Sequence, residues 1–146
     1  MHRSSRPDEQ RARRACLVAI AAGAAVLAAP ALAQDLSPVR PNEAIGVPGG
    51  TLTVLAADIQ PGETTAVTLR LRAYADAKSS LALRNDTFRL LAAGVPRVPS
   101  ARVWTDVAPD SAEDFVVAFK IPDKTDDLVL QMRFGDTVLR RRLSKR

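Results

Sequence analysis

The chain has 146 residues, 47% of them hydrophobic and 25% charged, and a body of about 100 residues can bury one hydrophobic core. Its formal net charge at pH 7 is +5. Its only Cys, Cys16, and its only His, His2, lie near the N-terminus, so the rest of the chain excludes a disulfide, a Cys-based zinc site and a Ser-His-Asp triad.

The segment 1–33 has the pattern of a secretory signal peptide. Five arginines come first, and the apolar run over 17–32 is shorter than the roughly 20 residues of a spanning helix. Ala31-Leu32-Ala33 places small residues where a signal peptidase acts, so we predict cleavage between Ala33 and Gln34. The mature product would be periplasmic or secreted, and it would contain neither Cys nor His.

Two alternatives remain open for this segment. Left uncleaved, the apolar run would anchor the chain by its N-terminus in the inner membrane. The pair Arg13-Arg14 before the run would also suit twin-arginine export. Cys16 precedes the apolar run instead of following it, so no lipoprotein is predicted.

The next segment, 34–50, is rich in Pro and Gly without sustained periodicity, and we predict an extended leader. Strand-like segments follow, in which apolar residues alternate with polar ones. They cover 51–59, 65–74, 88–90, 102–107, 115–121, 128–134 and 138–143. The segment 78–86 suits a connection or a short edge strand, and 94–100, with two prolines, suits a loop or a broken edge strand.

The body over 51–143 therefore contains about seven short strands and no stretch with helical periodicity. Gly135-Asp136 between two strand-like runs is typical of a hairpin turn. These features predict an all-β fold, an immunoglobulin-like antiparallel β-sandwich.

The order of segments also resembles a known group. It runs through Gly49-Gly50-Thr51 to Ile59, Thr65 to Tyr74, Phe88 to Pro99, Val107 to Ser111, Phe115 to Pro122 and Leu128 to Leu143. This order resembles the telokin-like, immunoglobulin-fold extracytoplasmic domains of bacterial secreted proteins and lipoproteins, which are largely of unknown function. Members often carry Asn-x-Ser after the second strand, where this chain has Ala75-Asp76-Ala77. The resemblance implies a sandwich and no catalytic residues.

Positive charge is concentrated at the C-terminal end, 140–146. Over 34–139 the chain has 14 acidic and 11 basic residues, so the body is mildly acidic. Candidate residues for contact with anionic lipid or polysaccharide are Arg140, Arg141, Arg142, Lys145 and Arg146. A solubilising terminus is the simpler interpretation. No aromatic residue is interleaved with this run, so no nucleic-acid partner is expected.

Two acidic groups are candidate sites. Asp123, Asp126 and Asp127 form an oxygen-rich loop, but their spacing differs from that of an EF-hand and turn-forming Asp explains them. Near the start of the 115–121 segment, paired carboxylates could serve acid–base chemistry on a sugar, although charges that protect a sheet edge are the simpler interpretation. This second group is Asp110, Glu113 and Asp114.

The aromatic and basic residues of the body have simple structural interpretations. Trp104, the single Trp, is predicted to lie in the core, although a stacking site for a ligand is conceivable. Arg70 and Arg72 would form a short ladder on the wet face of the second strand, either solvated or in contact with an acidic partner.

The sequence thus predicts a non-enzymatic exported β-sandwich that acts as an interaction module in the bacterial envelope. Its partner would be an unidentified envelope protein or a small ligand. One alternative is a peripheral binder of anionic envelope surfaces through the basic C-terminus. Another is a carboxylate-dependent carbohydrate hydrolase. No catalytic residue, cofactor or metal ligand is assigned.

Overall fold

The computed structural model describes residues 36–122 and 124–144. The predicted signal peptide lies outside these residues, so its cleavage between Ala33 and Gln34 stays a prediction. Within the described ranges, no helix combines the length and the apolar character that crossing a membrane requires. The helical structure described there is a 3-10 turn at Asn85–Thr87.

The first sheet contains β1 (Ala44–Val47), β2 (Gly50–Gln60), β3 (Thr65–Ala75) and β8 (Ala112–Ile121). All neighbours are antiparallel, in the order β1-β2-β3-β8. Strand β2 pairs with β3 along its whole length, with a bulge between Val54 and Ala56. In β3 buried residues alternate with more exposed ones, as expected for a strand with one wet face.

The second sheet contains β5 (Phe88–Ala92), β6 (Val95–Arg97), β9 (Leu128–Phe134) and β10 (Thr137–Leu143). Its order is β10-β9-β5-β6, and its pairs are also antiparallel. Strands β9 and β10 form the hairpin predicted at Gly135-Asp136, where Gly135 has φ +56°. Glycine adopts this left-handed conformation at no steric cost, which favours a tight reversal.

A two-stranded ribbon joins β4 (Leu81–Arg84) to β7 (Trp104–Val107). The register runs from Leu81 opposite Val107 to Arg84 opposite Trp104. Leu81, Leu83 and Val107 are buried, so one side of the ribbon packs on the core. The other side, which includes Trp104, faces solvent.

The inner faces of the sheets and the ribbon share one hydrophobic cluster. Phe88 of the second sheet and Phe119 of the first are essentially fully buried. Between the sheets, the rings of Phe88 and Phe115 lie 5.8 Å apart in a tilted arrangement. Each fully buried side chain of this size contributes roughly 1.5–3 kcal/mol of hydrophobic stabilisation. The all-β sandwich predicted from the sequence is confirmed.

The described chain has ten strands where the sequence predicted about seven. Strands β4 and β6 lie in 78–86 and 94–100, the two segments whose sequence suits either a short edge strand or a loop. Strand β1 lies inside the predicted leader, 34–50, and its Ile45 is buried in the core. The leader is also hydrogen-bonded to the body, since Val39 N donates to Arg142 O at 2.9 Å. Strands of three or four residues are too short to show a clear alternation, which is why the sequence did not define them.

Candidate functional site

Arginine side chains accumulate on the outer face of the second sheet. Successive residues of a strand point to opposite faces, so Arg89 of β5 and Arg133 of β9 lie opposite the core-facing positions. The register sets Arg89, Gln131 and Arg140 side by side across β5, β9 and β10. Arg142 follows two residues after Arg140 on the same face. We call Arg89, Arg133, Arg140 and Arg142 the basic face.

No ion pair neutralises the basic face within residues 36–122 and 124–144, where the recorded pairs are Arg72–Asp114 and Arg84–Asp106. Three of its four guanidinium groups donate to neutral acceptors instead, among them Arg133 Nε to the carbonyl oxygen of Gly135 at 3.1 Å. Arg89 donates to the carbonyl oxygen of Asn85 at 2.7 Å, and Arg140 Nε donates to Gln131 Oε1 at 2.9 Å. These bonds fix the side chains while leaving their positive charge uncompensated.

A groove adjoins the basic face, between strand β4, the 3-10 turn and β9. Its volume is about 810 Å³, and its charged lining residues are Arg84, Arg89, Arg133 and Asp86. Arg84 is paired with Asp106, so Arg89 and Arg133 contribute the excess positive charge. The groove and the basic face form one continuous positive surface because they share these two arginines.

The basic residues predicted to act together at the C-terminal end do not share one face of β10. Arg140 and Arg142 lie on the outer face of β10. Arg141 lies on the other face, in line with Leu139 and the buried Leu143, and donates to the carbonyl oxygen of Arg140 at 3.0 Å. Lys145 and Arg146 lie outside the described residues. The described part of this end is therefore the outermost strand of the second sheet, bridged to the leader at Pro38, and its arginines point in two directions.

The prediction that Trp104 lies in the core is wrong. Trp104 is 60% exposed and lies on the solvent side of the ribbon. The guanidinium carbon of Arg84, directly across the ribbon, lies 3.9 Å from the centroid of the indole ring, and that of Arg102 lies 4.7 Å away. Cation–π attraction to two arginines stabilises the ring at the surface.

Arg70 and Arg72 lie on the wet face of β3, as predicted, but they differ in their contacts. Arg72 Nε and Nη2 donate to the two carboxylate oxygens of Asp114 at 2.6 and 2.9 Å. These hydrogen bonds hold the pKa of Asp114 below its usual value and raise the pKa of Arg72. The ladder is therefore half neutralised, which makes this face a weaker candidate for an acidic partner than the second sheet.

The structure does not assemble the predicted acidic pair. Glu113 and Asp114 are consecutive residues of β8, so their side chains point to opposite faces of the sheet. Asp110 accepts a hydrogen bond from Tyr74 Oη at 2.7 Å, and this contact raises the pKa of Tyr74. Both Asp110 and Asp114 thus serve structural contacts.

No group of three or more His, Cys, Asp or Glu residues that could hold a metal occurs in the described part of the chain. The predicted oxygen-rich loop includes Asp123, which lies outside that part.

Comparison with known proteins supports the fold. The chain matches no protein-family model and no curated protein. It is similar in structure to an uncharacterized β-sandwich protein from Clostridium difficile, with a TM-score of 0.54 and 10% identity over 73% of this chain and 93% of that one. It is also similar to a candidate lipoprotein from Bacillus subtilis, with a TM-score of 0.53 and 7% identity. That match covers 69% of this chain and 38% of the other. Both similarities show a β-sandwich.

Sequence reasoning missed Arg89 and Arg133 as members of a site. For Arg133 the sequence contained a signal, because the turn at Gly135-Asp136 fixes the register of β10 on β9. This register sets Arg133 opposite Val138 and Arg140 opposite Gln131, on one face. The pairing of β9 with β5, which adds Arg89, joins segments distant in the chain. Local alternation cannot reveal that pairing.

Proposed function

We propose that this protein is an exported, non-enzymatic interaction module of the bacterial envelope that binds an anionic partner through the basic face. Export is supported by the signal-peptide pattern over 1–33 and by the structural similarity to a candidate lipoprotein. The segment order supports, as part of this proposal, a place among the telokin-like immunoglobulin-fold domains.

One observation carries the choice of surface. Arg89 and Arg140 are held in one cross-strand row, Arg133 stands beside them, and no ion pair within the described residues neutralises any of the three. Each such charge near an anionic surface contributes about 1 kcal/mol of attraction. The basic face thus recognises its partner by negative charge, as carried by anionic lipid, acidic polysaccharide or an acidic protein surface.

Vesicle binding tests this proposal with matched variants. The double variant Arg133→Gln/Arg140→Gln removes two charges from the basic face, and the control Arg70→Gln/Lys120→Gln removes two from exposed positions on the first sheet. Partitioning onto vesicles that contain phosphatidylglycerol should fall roughly 30-fold in the first variant and much less in the control.

Added salt should abolish binding of the unmodified protein, because screening weakens attraction between exposed charges. A polyuronate in place of the vesicles distinguishes polysaccharide from lipid. Equal losses in the two double variants would show that only net charge matters and would reject the basic face. Absence of binding to both probes would reject an anionic lipid or polysaccharide partner.

A further inference from the structure

A second groove opens on the solvent side of the ribbon, next to Trp104. Its volume is about 770 Å³. Pro99, Ala101 and Val103 give it an apolar wall, while Arg102 and Asn85 supply polar groups. An apolar cleft with a few converging polar groups is the usual make-up of a ligand site.

The two arginines beside Trp104 differ in how their donors are used. Arg84 donates to the carbonyl oxygens of Leu83 and Thr105 and to the carboxylate of Asp106. Within residues 36–122 and 124–144, Arg102 makes no hydrogen bond or ion pair through its side chain, and its guanidinium group contacts the indole ring. The ring therefore positions the Arg102 guanidinium while its N–H groups remain available.

The other polar groups of the groove are mainly donors as well. Asn85 Oδ1 accepts the backbone N–H of Val103, which leaves the two N–H groups of its side chain without a recorded partner in the described chain. The indole N–H of Trp104 has no recorded acceptor there either. Asp86 is the single acidic residue of the lining, and Arg84 is already neutralised by Asp106, so Arg102 is the cation that a ligand can reach. The donors around Arg102 favour a carboxylate ligand, which accepts charge-assisted hydrogen bonds.

We infer that this groove binds a carboxylate side chain of a partner polypeptide, with Arg102 as its charged partner and the apolar wall receiving a neighbouring aliphatic side chain. The inference rests on the proposed interaction function and names a second contact for it. A sugar ring fits the site less well, since stacking needs a bare aromatic face and two guanidinium groups already lie over this indole. An aliphatic side chain needs only the wall of Pro99, Ala101 and Val103.

The single Trp of the chain makes the test specific, because the indole N–H signal in an amide NMR spectrum reports on this groove alone. The probes are the capped peptides acetyl-Leu-Glu-Leu-amide and acetyl-Leu-Gln-Leu-amide, with glucuronate as a carboxylate on a sugar. The Glu peptide should move the indole signal saturably. The Gln peptide should bind at least about tenfold more weakly than the Glu peptide, because it lacks the charge-assisted hydrogen bond.

Variants of the full chain separate this site from the basic face. Arg102→Gln should weaken binding of the Glu peptide about tenfold or more. Arg133→Gln, on the second sheet, should leave peptide binding unchanged although it weakens vesicle binding. Asp86→Asn should strengthen peptide binding, since it removes the one negative charge that lines the groove.

Three results would overturn the inference. They are equal shifts with the Glu and Gln peptides, full peptide binding by a folded Arg102→Gln variant, and saturation by glucuronate without a response to either peptide. Thermal unfolding of each variant verifies that it is folded. Since vesicle binding depends on other residues, the groove and the basic face can fail independently.

Discussion

At the scale of single residues, Gly50 shows how one position controls the meeting of two strands. It begins β2 opposite Ala75 of β3. A Cβ atom built on Gly50 would collide with the backbone carbonyl oxygen of Tyr74 and would touch Leu81 at 3.0 Å. A backbone oxygen held in a sheet cannot move aside as a flexible side chain can. The first sheet and the ribbon therefore both depend on the absence of a side chain here.

We predict that Gly50→Ala lowers the free energy of unfolding by roughly 1–3 kcal/mol, the usual cost of forcing an extra carbon into a packed site. Gly46→Ala is the matched control, because a Cβ at Gly46 meets nothing within 4 Å and its change should stay within about 0.5 kcal/mol. Urea denaturation measures both. Similar values for the two variants would contradict the close approach at Gly50.

The position of Trp104 could not be predicted from its residue type. A lone Trp in a sandwich is expected in the core, since its ring buries a large area. Its actual place depends on the register of β4 with β7, which sets Arg84 across from it. That pairing joins residues 20 positions apart, and the segment with β4 had no clear strand pattern. Neither the exposure nor the groove could be derived from local sequence.

At the scale of elements, the turn between β7 and β8 is tied to the end of β3. Ala75 N donates to Ser111 O at 3.0 Å, and Asp110 N donates to Ala75 O at 3.1 Å. Tyr74 Oη adds a hydrogen bond to the Asp110 carboxylate. Asp110 has φ +54°, a left-handed conformation that Asp and Asn tolerate better than most residues. The turn is thus fixed by both backbone and side-chain bonds.

The pKa of Tyr74 makes this tie measurable. The hydrogen bond to Asp110 raises it above the ordinary value of about 10, so the contact stabilises the fold below that pH and is lost as the pH rises through the raised value. We predict that Asp110→Asn moves the Tyr titration to lower pH. The chain has one Tyr, so tyrosinate absorbance reports on it alone.

Asp76→Asn is the control for this titration, because Asp76 acts on Tyr74 through its charge alone and more weakly than Asp110 does. It should shift the titration less than Asp110→Asn does. An unchanged midpoint in Asp110→Asn would show that the hydrogen bond does not form in solution.

At the scale of the whole molecule, the sequence predicted the sandwich and most of its strands. Long segments such as β3 and β8 alternate clearly, and one turn dipeptide located the hairpin of β9 and β10. Predicting the basic face would have required the order of the strands within the second sheet. That order brings Arg89 of β5 beside the hairpin. Contacts between distant segments follow from packing the whole chain, and a local pattern does not encode them.

The contact that we propose with an anionic partner lies on the outer face of the second sheet. Amide NMR spectra recorded while bicelles containing phosphatidylglycerol are added locate this contact, because every strand reports separately. We predict shifts concentrated in β5, β9 and β10 that disappear with added salt. Absence of shifts at low salt would reject anionic lipid as the partner, and shifts concentrated in β2, β3 and β8 would contradict a contact through the second sheet.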